Sequence, residues 1–501
     1  MPYRPTYWLT RFLILRLLGI VYAVAFLVAI NQVLPLIGSH GLTPVGLFIH
    51  RVREALGSTG AGFFRLPSIF WFTHSDAALL ITAWIGLILS CVVIAGYANV
   101  PILFLLWAGY MSFCNIGQEW YGYGWEIQLL ETGFLAIFLC PLVDPRPFPK
   151  REPPLPIIIL FRWLICRIMF GAGLIKLRGD EIWRNSTALY YHFETQPMPG
   201  PLSRWFHFLP RAVLRAGVWF NWVAELIAPL FAFWPRVARH TAGIVMVLLQ
   251  LMLILSGNLS FLNWLTIVPA LACFDDRFWS RLVPKALNRR AEKARAAAVP
   301  SRPMTVTAWM VTVMIGALSF QPVVNMLSPD QIMNTSFDPL NLVNTYGAFG
   351  SVGRVRYNIV FEGTVDEIPT DSAIWKEYPY KGLPTDPDKR PPQVAPYHLR
   401  FDWQMWFAAM STPDEYPWTY LLVDKLLHND PFALSLFAAN PFPGKPPRYV
   451  RAVLYRYSFA PPGNPGHHYW TRKRLGNPWL PAMAPEDPRI LEYGKESGAT
   501  P

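Results

Sequence analysis

Charged side chains within apolar segments are the residues of this sequence best placed to do chemistry. A charge inside a bilayer is costly, so such residues usually pair with one another or serve a function. They can form ion pairs that hold helices in register, or a buried lysine can act as a base that abstracts a proton. The residues that could take these roles are Arg167, Lys176, Glu131 and Glu225.

The apolar run that carries Arg167 and Lys176 predicts two separate polar contacts. Their spacing places the two side chains on opposite faces of an α-helix, so each needs its own partner. Glu225, Glu131 and Gln250 lie in other apolar runs and are the candidate acceptors for Arg167. Of these we expect Glu225. For Lys176 the sequence leaves both roles open, a structural ion pair and a catalytic base.

Apolar runs dominate the first two thirds of the chain. Of its 501 residues 53% are hydrophobic and only 15% are charged, which is too apolar for a soluble enzyme of this length. About nine runs could cross, or nearly cross, a hydrocarbon core of about 30 Å. Because four of them are short, five to eight crossings, with some helices spanning only half of the membrane, remain an alternative. An α-helical polytopic membrane domain is therefore predicted over residues 1–324. The runs are residues 17–36, 77–96, 101–116, 127–143, 156–177, 216–234, 242–256, 259–274 and 306–324.

The basic residues behind the net charge of +12 indicate the orientation of the chain. Lys and Arg concentrate in the loops on the cytoplasmic side of a membrane protein. With a cytoplasmic N-terminus, alternation along the runs places the basic connectors 146–151, 236–239 and 277–302 on that side, and the C-terminal region outside. The connector 277–302 lies between apolar runs and contains no sequence motif for nucleic-acid recognition. Membrane lipid, and not nucleic acid, is therefore the expected partner of these charges.

After Val324 the composition changes to prolines, charges and alternating apolar residues, which predicts a second domain over residues 325–501. We expect an extracytoplasmic C-terminal domain resembling a β-sandwich, with short helices. Its strands are predicted from the period-two alternation at residues 354–362 and 450–459. Its short helices are predicted at residues 401–410, 417–428 and 431–439.

The cysteines and histidines show no spacing typical of a metal site, and the C-terminal region contains no cysteine. We therefore expect no metal site, and no cofactor is indicated. Sequons for N-glycosylation occur at Asn185, Asn258 and Asn334. Asn258 lies in a tight turn against the membrane, so Asn185 and Asn334 are the expected acceptors in a eukaryotic host.

Six long polar and aromatic blocks carry a resemblance to the lipase maturation factor family. They occur in the family's order along most of the chain, and membrane composition alone does not explain them. The blocks are residues 124–134, 171–180, 192–197, 256–264, 342–350 and 396–403.

This resemblance implies a membrane protein of the endoplasmic reticulum that helps secreted client proteins, typically lipases, to fold. The chain ends without a Lys-Asp-Glu-Leu type of retention signal, and in a bacterial host the inner membrane would replace the reticulum. We expect exposed aromatic residues of the outer domain to receive an apolar patch of the client. For each of them the alternative is packing in the core. The candidates are Tyr346, Phe349, Trp403, Trp406 and Trp418.

A second, shorter resemblance keeps an enzymatic hypothesis open. Residues 172–177, followed by Asp180 and Trp183, resemble the lysine-bearing segment of the vitamin K-dependent gamma-glutamyl carboxylase family. Lys176 matches the position of that family's catalytic base, whereas Ile175 stands where the family has a second lysine. The alternative function is therefore a membrane-embedded enzyme resembling a carboxylase or epoxidase, with Lys176 as its base.

Overall fold

The computed structural model describes residues 5–463, 466 and 468–497. Among them, six helical segments are long and apolar enough to cross a membrane, and further short helices complete the membrane part. All the predicted apolar runs fall on these elements. The six long segments are Trp8–Ile37, Asp76–Ala95, Leu155–Arg178, Arg211–Phe233, Arg236–Ser256 and Arg302–Leu327.

The helices are numbered in chain order, and several of the long segments contain more than one element. The helices are α1 Trp8–Ile37, α2 Val45–Leu56, α3 Thr59–Arg65, α4 Asp76–Ala95, α5 Val100–Ile116, α6 Gly124–Ile137, α7 Leu155–Arg178, α8 Glu181–Arg184, α9 Leu189–Thr195, α10 Ser203–His207, α11 Arg211–Trp222, α12 Arg236–Ser256, α13 Leu262–Ala270, α14 Asp276–Trp279, α15 Lys285–Ala296, α16 Arg302–Leu318, α17 Phe320–Leu327, α18 Arg400–Ala408, α19 Trp418–Leu427, α20 Pro431–Leu434 and α21 Pro488–Ser497.

One face of the helical bundle gathers the N-terminus and the basic connectors. Arg11 of α1 donates to the carbonyl of Arg151 over 2.7 Å, and Arg151 donates to the carbonyl of Val299 over 2.9 Å. The backbone N–H of Trp8 donates to the carboxylate of Asp276. The N-terminus and two basic connectors that are distant in sequence therefore meet on one face of the bundle, here called the N-terminal face.

The C-terminal region lies on the opposite face. Gln32, near the end of α1, donates to the carbonyl of His398 over 2.6 Å. Arg204, in the connector between α7 and α11, donates to the carbonyl of Ala460 over 2.8 Å. These contacts join residues far apart in the chain, so the connector and the C-terminal region form one continuous structure above the helices.

An antiparallel sheet with short helices packed against it forms the C-terminal region, which confirms the predicted fold class. The strands form one sheet in the order β2-β1-β3-β4, and β5 pairs with β3. Helices α18 and α19 pack against β1 and β3. The two predicted strands correspond to β1 and β3, which are the central pair. The strands are β1 Arg356–Thr364, β2 Lys376–Glu377, β3 Tyr449–Phe459, β4 Trp470–Arg474 and β5 Leu480–Met483.

Candidate functional site at the junction of the two regions

A cavity of ≈ 590 Å³ lies where the membrane helices meet the C-terminal region. Its walls come from α6, α7, α9, α11, α12 and α13 on the membrane side, and from residues 346–357 and α18 on the other. Most of the lining is apolar, and polar side chains stand at a few places on the wall. This is the usual construction of a site for a small apolar ligand.

Lys176 and Glu225 form a buried ion pair on the cavity wall. Lys176 Nζ donates to Glu225 Oε1 over 2.5 Å and to Asn221 Oδ1 over 3.3 Å. Asn221 Nδ2 donates to the other carboxylate oxygen over 3.0 Å, which closes the group. The ammonium also lies 4.9 Å from the centre of the Trp183 ring. This arrangement is that of a structural ion pair with an amide bridge.

A local break in the helix positions Glu225. The segment Val223–Ile227, directly after α11, is π-helical, and single π turns of this kind are frequent at functional sites. Gly173 of α7 faces this turn: a Cβ on Gly173 would lie 2.6 Å from Leu226 Cδ2 and 3.1 Å from Glu225 Cβ. The absence of a side chain at Gly173 therefore allows the two helices to approach closely enough for the ion pair to form.

The partner predicted for Arg167 is wrong. Because Glu225 is held by Lys176, Arg167 instead forms an ion pair with Glu131 of α6. Arg167 Nη1 also donates to the carbonyl of Asn344 over 2.8 Å. Glu131 accepts from the Tyr346 hydroxyl over 2.7 Å and from the backbone N–H of Asn344 over 3.1 Å. This ion pair therefore ties two membrane helices to the first residues of the C-terminal region.

A further ion pair was missed at sequence level. Arg400 Nη1 donates to Glu126 Oε1 over 2.7 Å and to the carbonyl of Trp120 over 2.5 Å. Its guanidinium lies 3.6 Å from the centre of the Tyr121 ring. Both charged residues are fully buried, and Tyr110 also donates to Glu126. Each belongs to a block that resembles the family, but no local pattern connects residues so distant in sequence.

His192 and Arg356 are two more buried groups on the cavity wall. The His192 ring meets Phe349 edge-on, with the centroids 4.8 Å apart. Burial, together with the nearby Lys176 cation, lowers the pKa of His192 to about 4, so the ring is neutral at physiological pH. Arg356 donates to the carbonyl of Gln196 over 2.6 Å, and burial lowers its pKa to about 9. It fixes the chain directly after α9.

The expectation that the aromatic candidates are exposed is wrong for three of the five. Tyr346, Trp403 and Trp418 are 3–4% exposed, because large aromatic side chains stabilise most where they are buried. Trp418 packs against Trp120, with centroids 4.8 Å apart, and lies in the core. Phe349 and Trp406 are partly exposed. Four of the five candidates line the cavity, namely Tyr346, Phe349, Trp403 and Trp406.

The sequons differ in accessibility. Asn258 is fully buried, and its side chain donates to the carbonyl of Pro392 over 2.8 Å. Asn185 and Asn334 are exposed and lie in connectors on the C-terminal face. In the described part of the chain, no group of three or more His, Cys, Asp or Glu side chains is placed to hold a metal ion.

Comparison with known proteins covers both regions of the chain. Residues 9–281 match the lipase maturation factor transmembrane domain, and residues 342–480 match the lipase maturation factor C-terminal domain. The chain belongs to the lipase maturation factor family. It is therefore a multi-pass membrane protein of that family, as the resemblance in the sequence predicted.

Relatives match along nearly the whole chain. Lipase maturation factor 1 of Bos taurus is 45% identical over 510 residues, which cover 97% of this chain and 90% of the relative. Lipase maturation factor 1 of Homo sapiens is 43% identical over 518 residues, which cover 98% of this chain and 90% of the relative. Lipase maturation factor 2 of Homo sapiens is 26% identical over 615 residues, which cover 98% of this chain and 85% of the relative. No solved structure matches the chain.

Proposed function

We propose that this protein is a membrane-bound maturation factor that helps secreted lipases to reach their active fold. The single observation that carries the proposal is the similarity to proteins named lipase maturation factor over 97% of the chain. The match includes the helices and the C-terminal elements that build the cavity. The client, a secreted lipase, is inferred from the names of these relatives.

We further propose that the C-terminal region is extracytoplasmic, facing the lumen of the endoplasmic reticulum in a eukaryote or the periplasm in a bacterium. The support is the clustering of the basic connectors on the N-terminal face, because such connectors favour the cytoplasmic side. The division into a membrane domain of residues 1–324 and an outer domain of residues 325–501 belongs to the same proposal. Modification of Asn185 and Asn334 depends on this orientation, since both would then face the lumen.

The aqueous mouth of the cavity is the proposed contact surface for the client. Met333 and Met410 are 40% and 54% exposed there, beside the partly exposed Phe349 and Trp406. Methionine and aromatic side chains adapt to different apolar surfaces, and exposed apolar surface often marks a site of interaction. Tyr346 and Trp403 lie behind this mouth, where they shape the cavity. Trp418 has no part in the proposal, because it packs in the core.

The enzymatic alternative has no support from the site. The match to maturation factors spans 97% of the chain, whereas the resemblance to the carboxylase covers one short segment. The lysine of that segment, Lys176, is held in an ion pair with Glu225. We therefore assign Lys176 a structural role, in which it positions α11 against α7 on the wall of the cavity.

The experiment is co-expression of the full chain with a secreted lipase, with lipase activity per mass of secreted lipase as the readout. In the double variant Met333→Glu/Met410→Glu we expect this specific activity to fall about 30-fold, since hot-spot contacts contribute about 2 kcal/mol. The abundance of the factor itself should be unchanged, because both side chains are exposed. The matched control is Ile374→Glu, which changes an exposed isoleucine away from the cavity. Equal activity for the double variant and the control would contradict the proposed contact surface.

A further inference from the structure

Exposed lining residues on two membrane helices indicate a second opening of the cavity, on the side that would face lipid. Among its lining residues, Val213 of α11 and Met252 of α12 are 50% and 41% exposed. Val213 lies near the start of α11 and Met252 near the end of α12, so both are at the end of their helices closer to the C-terminal region. These two positions lie on membrane helices, whereas Met333 and Met410 follow the last membrane helix and belong to the C-terminal region.

The packing of the two helices explains the opening. Helix α12 packs extensively against the 3-10 segment Ala228–Phe233, which follows the π turn after α11. Over the described residues, α12 has no comparably extensive contact with α11 itself. The two helices are thus joined near the N-terminal face and diverge towards the C-terminal region. Divergent helices leave a lateral gap through which a lipid chain can enter from the bilayer.

The polar groups inside the cavity are suited to an uncharged ligand. Lys176 and Glu225 neutralise each other. The two Nη groups of Arg356 donate to backbone carbonyls, whereas its buried Nε has no partner among the described residues. Deeper in the membrane part, Gln128 Nε2 donates to Thr266 Oγ1 over 3.1 Å. Amide and hydroxyl groups of this kind recognise hydroxyl and ester groups without requiring a charge.

Some of these polar side chains have hydrogen-bonding atoms left over. Gln250 accepts from Asn263 Nδ2 over 2.8 Å, and the amides of Gln128 and Asn263 both line the cavity. His192 Nδ1 is buried and has no partner among the described residues. Buried polar atoms nearly always have a partner. The unpartnered His192 Nδ1 and Arg356 Nε therefore point to a ligand with a polar, hydrogen-bonding group.

We propose that the cavity binds a membrane lipid with one acyl chain and an uncharged, hydrogen-bonding head, of which a monoacylglycerol is the simplest example. The lipid enters between α11 and α12 from the extracytoplasmic leaflet. Its head contacts the Gln128, Asn263 and His192 side chains, and its chain lies against apolar residues such as Leu249 and Leu253. A volume of ≈ 590 Å³ falls within the range of about 300–1,000 Å³ found for drug-sized ligands. The proposal goes beyond the maturation role and does not depend on the client.

The test is photolabelling of the purified full chain in phospholipid nanodiscs with a monoacylglycerol that carries a diazirine on its acyl chain. Peptide mass spectrometry then locates the adducts. We expect labelling of cavity-lining residues, competed by monooleoylglycerol. Met252→Trp and Val213→Trp should each reduce this labelling about tenfold, which corresponds to a block of about 1.4 kcal/mol. The matched control is Leu255→Trp, which adds the same ring to an exposed position of α12 that does not line the cavity.

Two results would overturn the proposal. Labelling spread around the lipid-facing surface, without competition and with no difference between Met252→Trp and Leu255→Trp, would show that the cavity takes no lipid. Competition by oleate or lysophosphatidate that is stronger than by monooleoylglycerol would show that the head group is anionic. Client maturation does not enter either readout, so failure here is distinguishable from failure of the proposed function.

Discussion

Removing Arg167 while keeping Glu131 is expected to destabilise the protein strongly. In Arg167→Met the apolar stem is largely kept, but the Glu131 carboxylate, fully buried in the wild type, loses its cationic partner. Breaking one side of a buried ion pair costs about 3–5 kcal/mol. The remaining hydrogen bonds from Tyr346 and Asn344 place the expected loss towards the lower end of that range. Against a total stability of about 5–15 kcal/mol, this loss should sharply reduce the amount of folded protein in the membrane.

The assay compares membrane abundance and the melting temperature of the detergent-purified protein for three variants. Both the membrane abundance and the melting temperature of Arg167→Met should fall. The double variant Arg167→Met/Glu131→Gln should recover much of the loss, because the amide carries no charge and still accepts hydrogen bonds. Arg215→Met removes an exposed arginine of α11 and serves as the control. If Arg167→Met is as abundant and as stable as the control, or if the double variant is no better than the single one, the ion pair does not have the structural role described.

Three further predictions concern the wall of the cavity. Lys176→Met should lower membrane abundance, and adding Glu225→Gln should restore it; normal abundance with abolished lipase maturation in Lys176→Met would instead support a catalytic lysine. Gly173→Val should lower the melting temperature because its side chain would collide with the π turn. Gly316→Ala, at a helical glycine with open space around it, should leave the melting temperature unchanged or raised. Because of His192, the free energy of unfolding should fall on acidification. In the unfolded chain the His192 ring takes up a proton near its ordinary pKa of about 6.5, whereas in the folded chain it does so only near pH 4, because its pKa there is about 4. The wild type should therefore lose up to about 3 kcal/mol relative to His192→Gln between these pH values, and parallel pH profiles of unfolding for the two proteins would refute this.

The membrane helices, the central strand pair and the family could be predicted from the sequence because each depends on local signals. Apolar runs give the helices, period-two alternation gives β1 and β3, and blocks such as residues 192–197 keep their polar and aromatic character in order. These signals need no knowledge of which helix lies beside which.

The ion-pair partners could not be predicted because they depend on how helices are rotated and placed. Arg167 had three possible acceptors on three different helices. Glu225, the partner of Lys176, lies in a π turn, and no property of residues 223–227 alone reveals that turn. The pair between Glu126 and Arg400 joins residues 274 positions apart in the chain, and only the docking of the C-terminal region brings it together.

The exposure of the aromatic residues could not be predicted from the sequence either. Trp403 and Trp406 both lie on the short helix α18, yet one is buried and the other partly exposed. Which face of such a helix packs inward is set by the sheet and by the membrane helices beneath it. Composition alone therefore favours neither the core nor the surface for a given tryptophan.

The most direct test of the account is to ask whether a newly made lipase touches the aqueous mouth of the cavity. A photocrosslinking amino acid is placed at Met410, or at Ile374 as the control, in the full chain during synthesis of a secreted lipase. We expect a crosslink to the lipase from position 410, weak or no crosslinking from position 374, and loss of the crosslinked product once the lipase has folded. Equal crosslinking from both positions, or none from position 410 in cells where lipase activity requires this protein, would contradict it.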